Sequence, residues 1–333
     1  TGLIFYTTHR AVREQWAAWW RFRIWHGIPR DEWSCFFGAP KVVPLNRRQP
    51  PFWRENLPGR QLIFSNYHMD RETAPLYLEK LRQSGYRWIQ GFPSSISLLA
   101  AFACDLGIRV PMKWVSVSAE NLLAHQVKLI ERAFGVTPIE HYGQEEGVAN
   151  ISQCPKGKLH VDEDFSRAEF VPSDYGKDIY HITGTNYSNE VFPLVRYDTG
   201  DLATIVEGDA CDCGRPGRVV RSLDGRLNDY VLSKSGNPIG LLDHMFKDCV
   251  NVRTVQVRQE RAGFITILMV KGDGYGPQDE ATFRDQVRYV LGGEMDYEIQ
   301  YVEEIPKTGR GKHRLVVSSL KSNVPAETAA RQS

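Results

Sequence analysis

The sequence predicts an α/β fold: a large domain followed by a small α+β C-terminal domain. Three observations carry this. The chain has 333 residues, enough for more than one domain at roughly 100–200 residues each. Residues 121–134 space apolar side chains as a helix does, then lead through Gly135 into an apolar run and the Gly143 turn. Such helix-to-strand alternation is the pattern of α/β proteins. After about residue 228 the pattern changes to strand, helix, strand over some 90 residues.

The stretch after Thr8 predicts a helix, with Val12, Trp16, Trp19 and Arg23 on one face and Trp20 beside them. An aromatic stripe of that kind is core or a contact between domains, with ligand lining as the alternative. Residues 40–58 are Pro-rich and basic and read as a surface loop. In 121–134, Leu123, Val127, Ile130 and Phe134 share one face, and Gly135 stops the helix. The strand expected at 139–142 puts the Gly143 turn at a strand end, where α/β proteins hold ligands. Further strands are expected at 168–171, 179–183 and 202–206. In the small domain, strands at 264–270 and 297–302 flank a helix at 280–291 carrying Phe283, Val287, Val290 and Leu291. The boundaries are residues 1–227, residues 228–318 and a polar tail at 319–333.

Composition excludes some classes of partner. The net charge is +1, which leaves no basic footprint for nucleic acid or an acidic membrane. No apolar run approaches the roughly 20 residues that span a bilayer. The start, Thr1-Gly2-Leu3, has neither Met nor a basic-then-apolar signal segment, and reads as a chain that begins mid-protein. Six cysteines in a chain this long are too few for a dense disulfide framework, which points to a reducing cytoplasm.

Two short cysteine patterns suggest a metal. Cys154 and His160 form Cys-x5-His, and Cys211 and Cys213 form Cys-x-Cys. Together they offer three thiolates and one imidazole, a full tetrahedral set for structural Zn²⁺ with no position left for water. The alternative is four unrelated residues, the cysteines acting as small hydrophobes. Cys35, Cys104 and Cys249 have no partner at ligand spacing and read as core.

A second group suggests a nucleotide. Asp201 ends a Thr-Gly-Asp turn, where a carboxylate can accept from both ribose hydroxyls. Arg226 follows Gly225 and can donate to ribose or phosphate. Tyr142 can stack on a purine. Glu146 can hold Mg²⁺. Lys312, in a Gly-flanked loop, can bring an ammonium onto developing phosphate charge. Singly, each is also an ordinary turn or solvated loop residue.

Their order is more telling than any one of them. Residues 142–147, 195–202, 211–217, 225–229 and 306–314 resemble the adenylate-forming superfamily, within it the phenylacetate-CoA ligase group and its CapK-like members. The resemblance extends over nearly the whole chain, and part of that group has a structural zinc site matching both cysteine patterns. It implies a two-step reaction. A small-molecule carboxylic acid attacks the α-phosphate of Mg·ATP, and a thiol, usually coenzyme A, then displaces AMP. By position, it implies that Tyr142 stacks on adenine beside Gly143, with Ala119 and Glu120 bordering it. Glu146 is implied as the Mg²⁺ ligand, Asp201 and Arg226 as the ribose holders. Lys312 is the implied catalytic cation and Asn228 the hinge of a rotating small domain, an arrangement that lets one pocket serve two reactions.

The pattern also departs from the family. The Gly-rich Ser/Thr loop that cradles ATP phosphates is missing, and Thr1-Gly2 fits its last two residues, so the large domain is expected to be incomplete. Glu145 stands where Thr or Ser precedes the glutamate. Asn228 replaces the commoner Asp or Lys, and Asn tolerates unusual backbone angles. An acid–thiol ligase is the leading expectation, with a possible homodimer. Adenylation with a non-CoA acceptor and a non-catalytic nucleotide- or zinc-binding remnant are the alternatives. The acid pocket is expected from residues 88–97 and 142–149, where Phe92 and Tyr142 are an apolar wall or ordinary core.

Overall fold

The computed structural model describes residues 4–38, 41–173, 177–226, 230–236, 238–239, 242–246, 249, 251–305 and 314–320. Eight strands come first: β1 (Ser34–Phe37), β2 (Trp53–Asn56), β3 (Gln61–Phe64), β4 (Trp88–Gly91), β5 (Trp114–Val117), β6 (Ile139–Gly143), β7 (Asn150–Gln153) and β8 (Leu159–Val161). The second sheet uses β9 (Ser166–Pro172), β10 (Ile179–Asn186), β11 (Tyr197–Thr204) and β13 (Ser222–Arg226), while β12 (Val219–Val220) returns to the first. The first sheet runs β12-β8-β7-β6-β5-β4-β1-β3-β2. Its centre, β3-β1-β4-β5-β6, is parallel, and its flanks are antiparallel.

Parallel neighbours need crossovers, and helices supply them: α2 (Ala74–Ser84), α3 (Pro93–Asp105) and α4 (Ala124–Phe134) follow β3, β4 and β5 in turn. Their apolar faces and the sheet enclose Phe37, Phe64, Tyr77, Leu81, Ile89, Leu99, Ile130 and Phe134. Burying a side chain of this size contributes about 1.5–3 kcal/mol, so this cluster anchors the domain. Leu123 N–H donates to Gln126 Oε1 at 3.0 Å, and α4 therefore starts three residues later than its apolar spacing implies.

The helix α1 (His9–Trp25) begins at Thr8, whose side chain accepts from the Ala11 N–H at 3.1 Å. It buries Ala11, Ala18 and Phe22, whereas Trp16 is 44% exposed. The expected face is thus rotated, because its residues make polar and ring contacts instead of entering a core. Trp19 Nε1 donates to Asn150 Oδ1 at 3.2 Å, and the Arg23 guanidinium lies over the rings of Trp20 and Trp88 at 4.9 and 5.2 Å. Arg21 donates to buried Asp162 at 2.6 Å, and Ser152 and Asn150 donate to the same carboxylate. This network ties α1 to the β6–β8 flank.

The second sheet, β13-β11-β10-β9, packs Ala168, Ile182 and Ala203 against Ile151, Leu159, Val161 and Val220 of the first. A Cβ at Gly184 would lie 2.1 Å from the Val148 carbonyl oxygen, so only glycine permits this close passage. The small C-terminal domain has β14 (Val231–Leu232) paired with β15 (Pro238–Ile239). A four-stranded sheet adds β16 (Val252–Arg261), β17 (Phe264–Lys271), β18 (Asp296–Tyr301) and β19 (Val316–Ser318). With α5 (Pro277–Leu291) these form a separate core of Val257, Ile265, Ile267, Phe283, Val287 and Leu291. The molecule is therefore a mixed α/β protein with a large sheet-rich domain and a small C-terminal one.

Three expectations are corrected. The 40–58 stretch is not all loop, since β2 lies in it and pairs antiparallel with β3. The Thr-Gly-Asp sequence is not a turn before a strand. It lies inside β11, where Gly200 has φ 69° and the register shifts on both sides, as a bulge does. Of the three cysteines read as core, Cys35 and Cys249 are buried but Cys104 is only half-buried.

Candidate functional site

Strand β6 sits where the parallel sheet ends and the antiparallel flank begins. Tyr142 and Gly143 end the strand rather than forming the expected Gly143 turn, and the turn follows at Gln144, whose carbonyl accepts the Gly147 N–H at 3.1 Å. A Cβ at Gly143 would come within 2.9 Å of Asn150 Oδ1, 3.0 Å of His141 Cε1 and 3.2 Å of Trp19 Nε1, so a larger residue there would press on these three side chains. Gln15 of α1 donates through Nε2 to the Gln144 carbonyl at 2.6 Å and holds the turn from outside.

The turn meets β11 of the second sheet. Tyr142 Oη donates to Asp201 Oδ2 at 2.8 Å, and Gln144 Nε2 donates to the same oxygen at 3.0 Å. Gln144 Nε2 also reaches Tyr142 Oη. Asp201 is buried. The bulge aims it: Thr199 Oγ1 accepts the Asp201 N–H at 3.1 Å and donates to the Ile182 carbonyl at 2.7 Å. Arg226 pairs with Asp201 across the β11–β13 ladder, so two residues 25 positions apart come to one place. Glu145 is exposed and Glu146 half-buried on the same turn, and the Glu146 carbonyl accepts from Asn186 Nδ2 at 3.4 Å.

Ala119 and Glu120 follow β5. Ala119 has φ 68°, an uncommon left-handed conformation for a residue with a Cβ and one that recurs at functional sites. The Glu120 carboxylate accepts the Ser94 N–H at 3.1 Å. It thereby satisfies one of the orphan donors at the start of α3, a structural task the sequence does not reveal. Asn228 and Lys312 lie outside the described residues.

Glu140 is a site candidate that the sequence reading passed over. It shares the Tyr142 face of β6 by strand alternation. The residue is half-buried, and burial pushes its pKa up to about 7. A carboxylate two positions before Tyr142 on the same strand face was the available signal. His141 points the opposite way, to Trp19 and Phe22. Its Nε2 lies 2.8 Å from Asn150 Oδ1. Burial pushes its pKa down to about 4, against that hydrogen bond and with help from Arg23.

The four expected metal ligands converge. Ligand atoms of Cys154, His160, Cys211 and Cys213 all lie within 4.8 Å of one another. The Cys154 and Cys211 sulfurs are 3.7 Å apart, and Cys213 Sγ is 3.4 Å from His160 Nε2. Tetrahedral zinc with bonds of about 2.3 Å to sulfur and about 2.0 Å to nitrogen places such pairs roughly 3.5–3.8 Å apart, so the residues fit the ion. Backbone turns aim each ligand. Cys154 and Lys158 close a tight loop at 2.7 Å, and a Cβ at Gly217 would lie 2.1 Å from the Val161 carbonyl oxygen. His160 Nδ1 is 3.2 Å from the Pro216 carbonyl, which fixes the tautomer and leaves Nε2 for a metal.

Residues 231–319 match the family model of the CapK C-terminal domain. Protein CapK of Staphylococcus aureus is 23% identical over 328 residues, covering 96% of this chain and 72% of CapK. Phenylacetate-coenzyme A ligase of Thermus thermophilus is 30% identical over 119 residues, covering 33% of this chain and 26% of the ligase. Among solved structures, 2-hydroxyisobutyryl-CoA ligase in its postadenylation state superposes with a TM-score of 0.66 at 18% identity, covering 93% of this chain and 70% of that one. The same ligase gives 0.50 in an open conformation and 0.52 in the thioesterification state. The chain is a homologue of CapK and of phenylacetate-coenzyme A ligase, with the fold of the adenylate-forming ligases.

Proposed function

We propose that this chain activates a small-molecule carboxylic acid as its adenylate at the expense of ATP, and passes the acyl group to coenzyme A. The observation that carries the reading is the Tyr142–Gln144–Asp201 cluster at the carboxyl end of β6, with Arg226 paired across from Asp201. A buried carboxylate held in place by two donors is a preorganised acceptor for ribose hydroxyls. Tyr142 presents an aromatic face to the base. Glu140 on the same face supplies an acceptor for an exocyclic amino group such as that of adenine.

Glu146 is the proposed Mg²⁺ ligand, and the bound ion would neutralise phosphate charge. Lys312 is the proposed cation at the α-phosphate, and Asn228 the proposed hinge. Adenylyl transfer is catalysed mainly by position and charge neutralisation, which suits a site made of polar side chains on turns. Cys154, His160, Cys211 and Cys213 are the proposed ligands of a structural Zn²⁺. All four positions are then taken by protein, so the ion would brace the loops between β7, β8 and β12 and take no part in chemistry. Six free cysteines favour the reducing cytoplasm as its place of work.

The test is pyrophosphate release across a panel of carboxylic acids, with ATP, Mg²⁺ and coenzyme A. Release that depends on acid and ends in an acyl-CoA is the expected result. Release followed by transfer only to an amine, a carrier protein or a sugar would replace coenzyme A as acceptor. AMP binding without any release would reduce the chain to a nucleotide-binding remnant.

A further inference from the structure

The two domains meet at an ion pair. Arg253, near the start of β16, donates through Nη2 to Oδ1 of Asp105, the last residue of α3. The same Nη2 donates to Asp273 Oδ1 at 3.2 Å. The Arg253 and Asp105 side chains are only 20% and 12% exposed, against 57% for Asp273.

Asp105 is poorly placed on its own account. A carboxylate at a helix C-terminus meets the negative end of the macrodipole. Its Oδ2 is buried with no hydrogen-bond partner, and Asp273 brings a like charge beside it. Burial raises its pKa, and Arg253 is the main group pulling it back. The pair therefore matters most in this arrangement of the domains. If the small domain swings away, Asp105 regains water. Arg253 keeps a carboxylate, because Asp273 follows β17 in its own domain. Separation thus strands neither charge, whereas a permanent buried pair would leave one uncompensated.

The pair is also remote from the nucleotide cluster. Helix α3 begins at Pro93, just past the carboxyl end of β4, and its 13 residues carry the chain about 20 Å at 1.5 Å per residue. Asp105 thus lies at the far edge of the sheet from the Tyr142 turn. An effect there on function would act through domain position.

We propose that Arg253 and Asp105 form a reversible latch between the domains, with Asp273 as the partner that receives Arg253 when the latch opens. The latch is read from the ion pair itself. Only its consequence for a two-step reaction rests on the function proposed above. The test is single-molecule energy transfer between dyes on non-canonical residues replacing Glu72 and Tyr289, which leaves all six cysteines intact. One distance should dominate the unaltered chain. Arg253→Gln and Asp105→Asn should each lower its population, relative to released forms, at least about fivefold, the low end of typical two-state coupling. The double variant should lose no more than either single one, since both remove the same contact. An unchanged distance in Arg253→Gln, additive losses in the double variant, or no dominant distance in the unaltered chain would each overturn the latch. The measurement needs no ATP or acid, so failure here is distinct from failure of the pyrophosphate test.

Discussion

The proposed metal cluster and the proposed nucleotide cluster are built in opposite ways. Cys154, His160, Cys211 and Cys213 do little for one another without an ion. Each is aimed by its own turn or strand, and the four meet around a common centre. Tyr142, Gln144 and Asp201 are already bonded to one another. On the function proposed above, the first arrangement makes the protein's stability depend on the ion it would bind. On the same reading, the second holds its shape without a ligand and serves recognition. Loss of the first ligand should therefore appear as lost stability, and loss of a residue from the second as lost affinity.

The largest effect is expected at the metal. Metal analysis of the purified chain should find about one equivalent of zinc, and Cys154→Ser should abolish it. Because the binding energy of structural zinc is folding energy, the melting temperature should fall by roughly 10 °C in that variant. A strong chelator should act likewise, while Cys249→Ala, a buried thiol away from the cluster, should retain the metal. A chain with no zinc and a melting temperature indifferent to chelator would end the comparison at its first term.

A smaller and different response is expected at Asp201. Asp201→Asn keeps the shape but removes the charge that accepts from Tyr142 and Gln144. Hydrogen bonds to charged groups are worth about 1.5–3 kcal/mol, so AMP affinity by calorimetry should fall about 10- to 100-fold. The melting temperature without nucleotide should move by no more than a few degrees. Equal losses of stability and affinity would show that the cluster is a structural brace.

How much of this was legible beforehand depends on how local the cause was. The grouping of Cys154, His160, Cys211 and Cys213 was legible because two short patterns each carry their own turn, though nothing in the sequence brings residues 57 apart to within 4.8 Å. Helix α5 and strands β17 and β18 were legible from period alone. Its start was missed, because Gly276 and Pro277 open α5 three residues early by capping, with the Gly276 N–H donating to Asp279 at 2.9 Å. The face of α1 was misread, since Trp16, Trp19 and Arg23 count as core by pattern but pair with polar groups and rings once β6 and β7 lie beside them. The Asp201 bulge was invisible for a similar reason: a Thr-Gly-Asp turn and a bulged strand differ only in whether β10 and β13 are there to pair with it.

Within β6 the same contrast is compressed into two adjacent residues, and pH separates them. Glu140 ordinarily titrates near 4.5 and is raised by burial to about 7. Its contribution to stability is fully present below about 4.5 and is lost as pH rises through about 7. His141 ordinarily titrates near 6.5 and is lowered by burial to about 4. Its contribution is present above 6.5 and is lost as pH falls through about 4. Between about 4.5 and 6.5 the two oppose each other, so the unaltered chain should show a shallow dependence there. Glu140→Gln removes one side of the balance. Relative to the unaltered chain its melting temperature should rise between pH 5 and 8 by about 2–5 °C, with the gain complete above pH 7. His141→Asn should do the reverse, narrowing its deficit as pH falls from 6.5. If Glu140 instead faces open water, the Glu140→Gln difference will be flat with pH, and the acceptor assigned to the adenine amino group loses its enclosed setting.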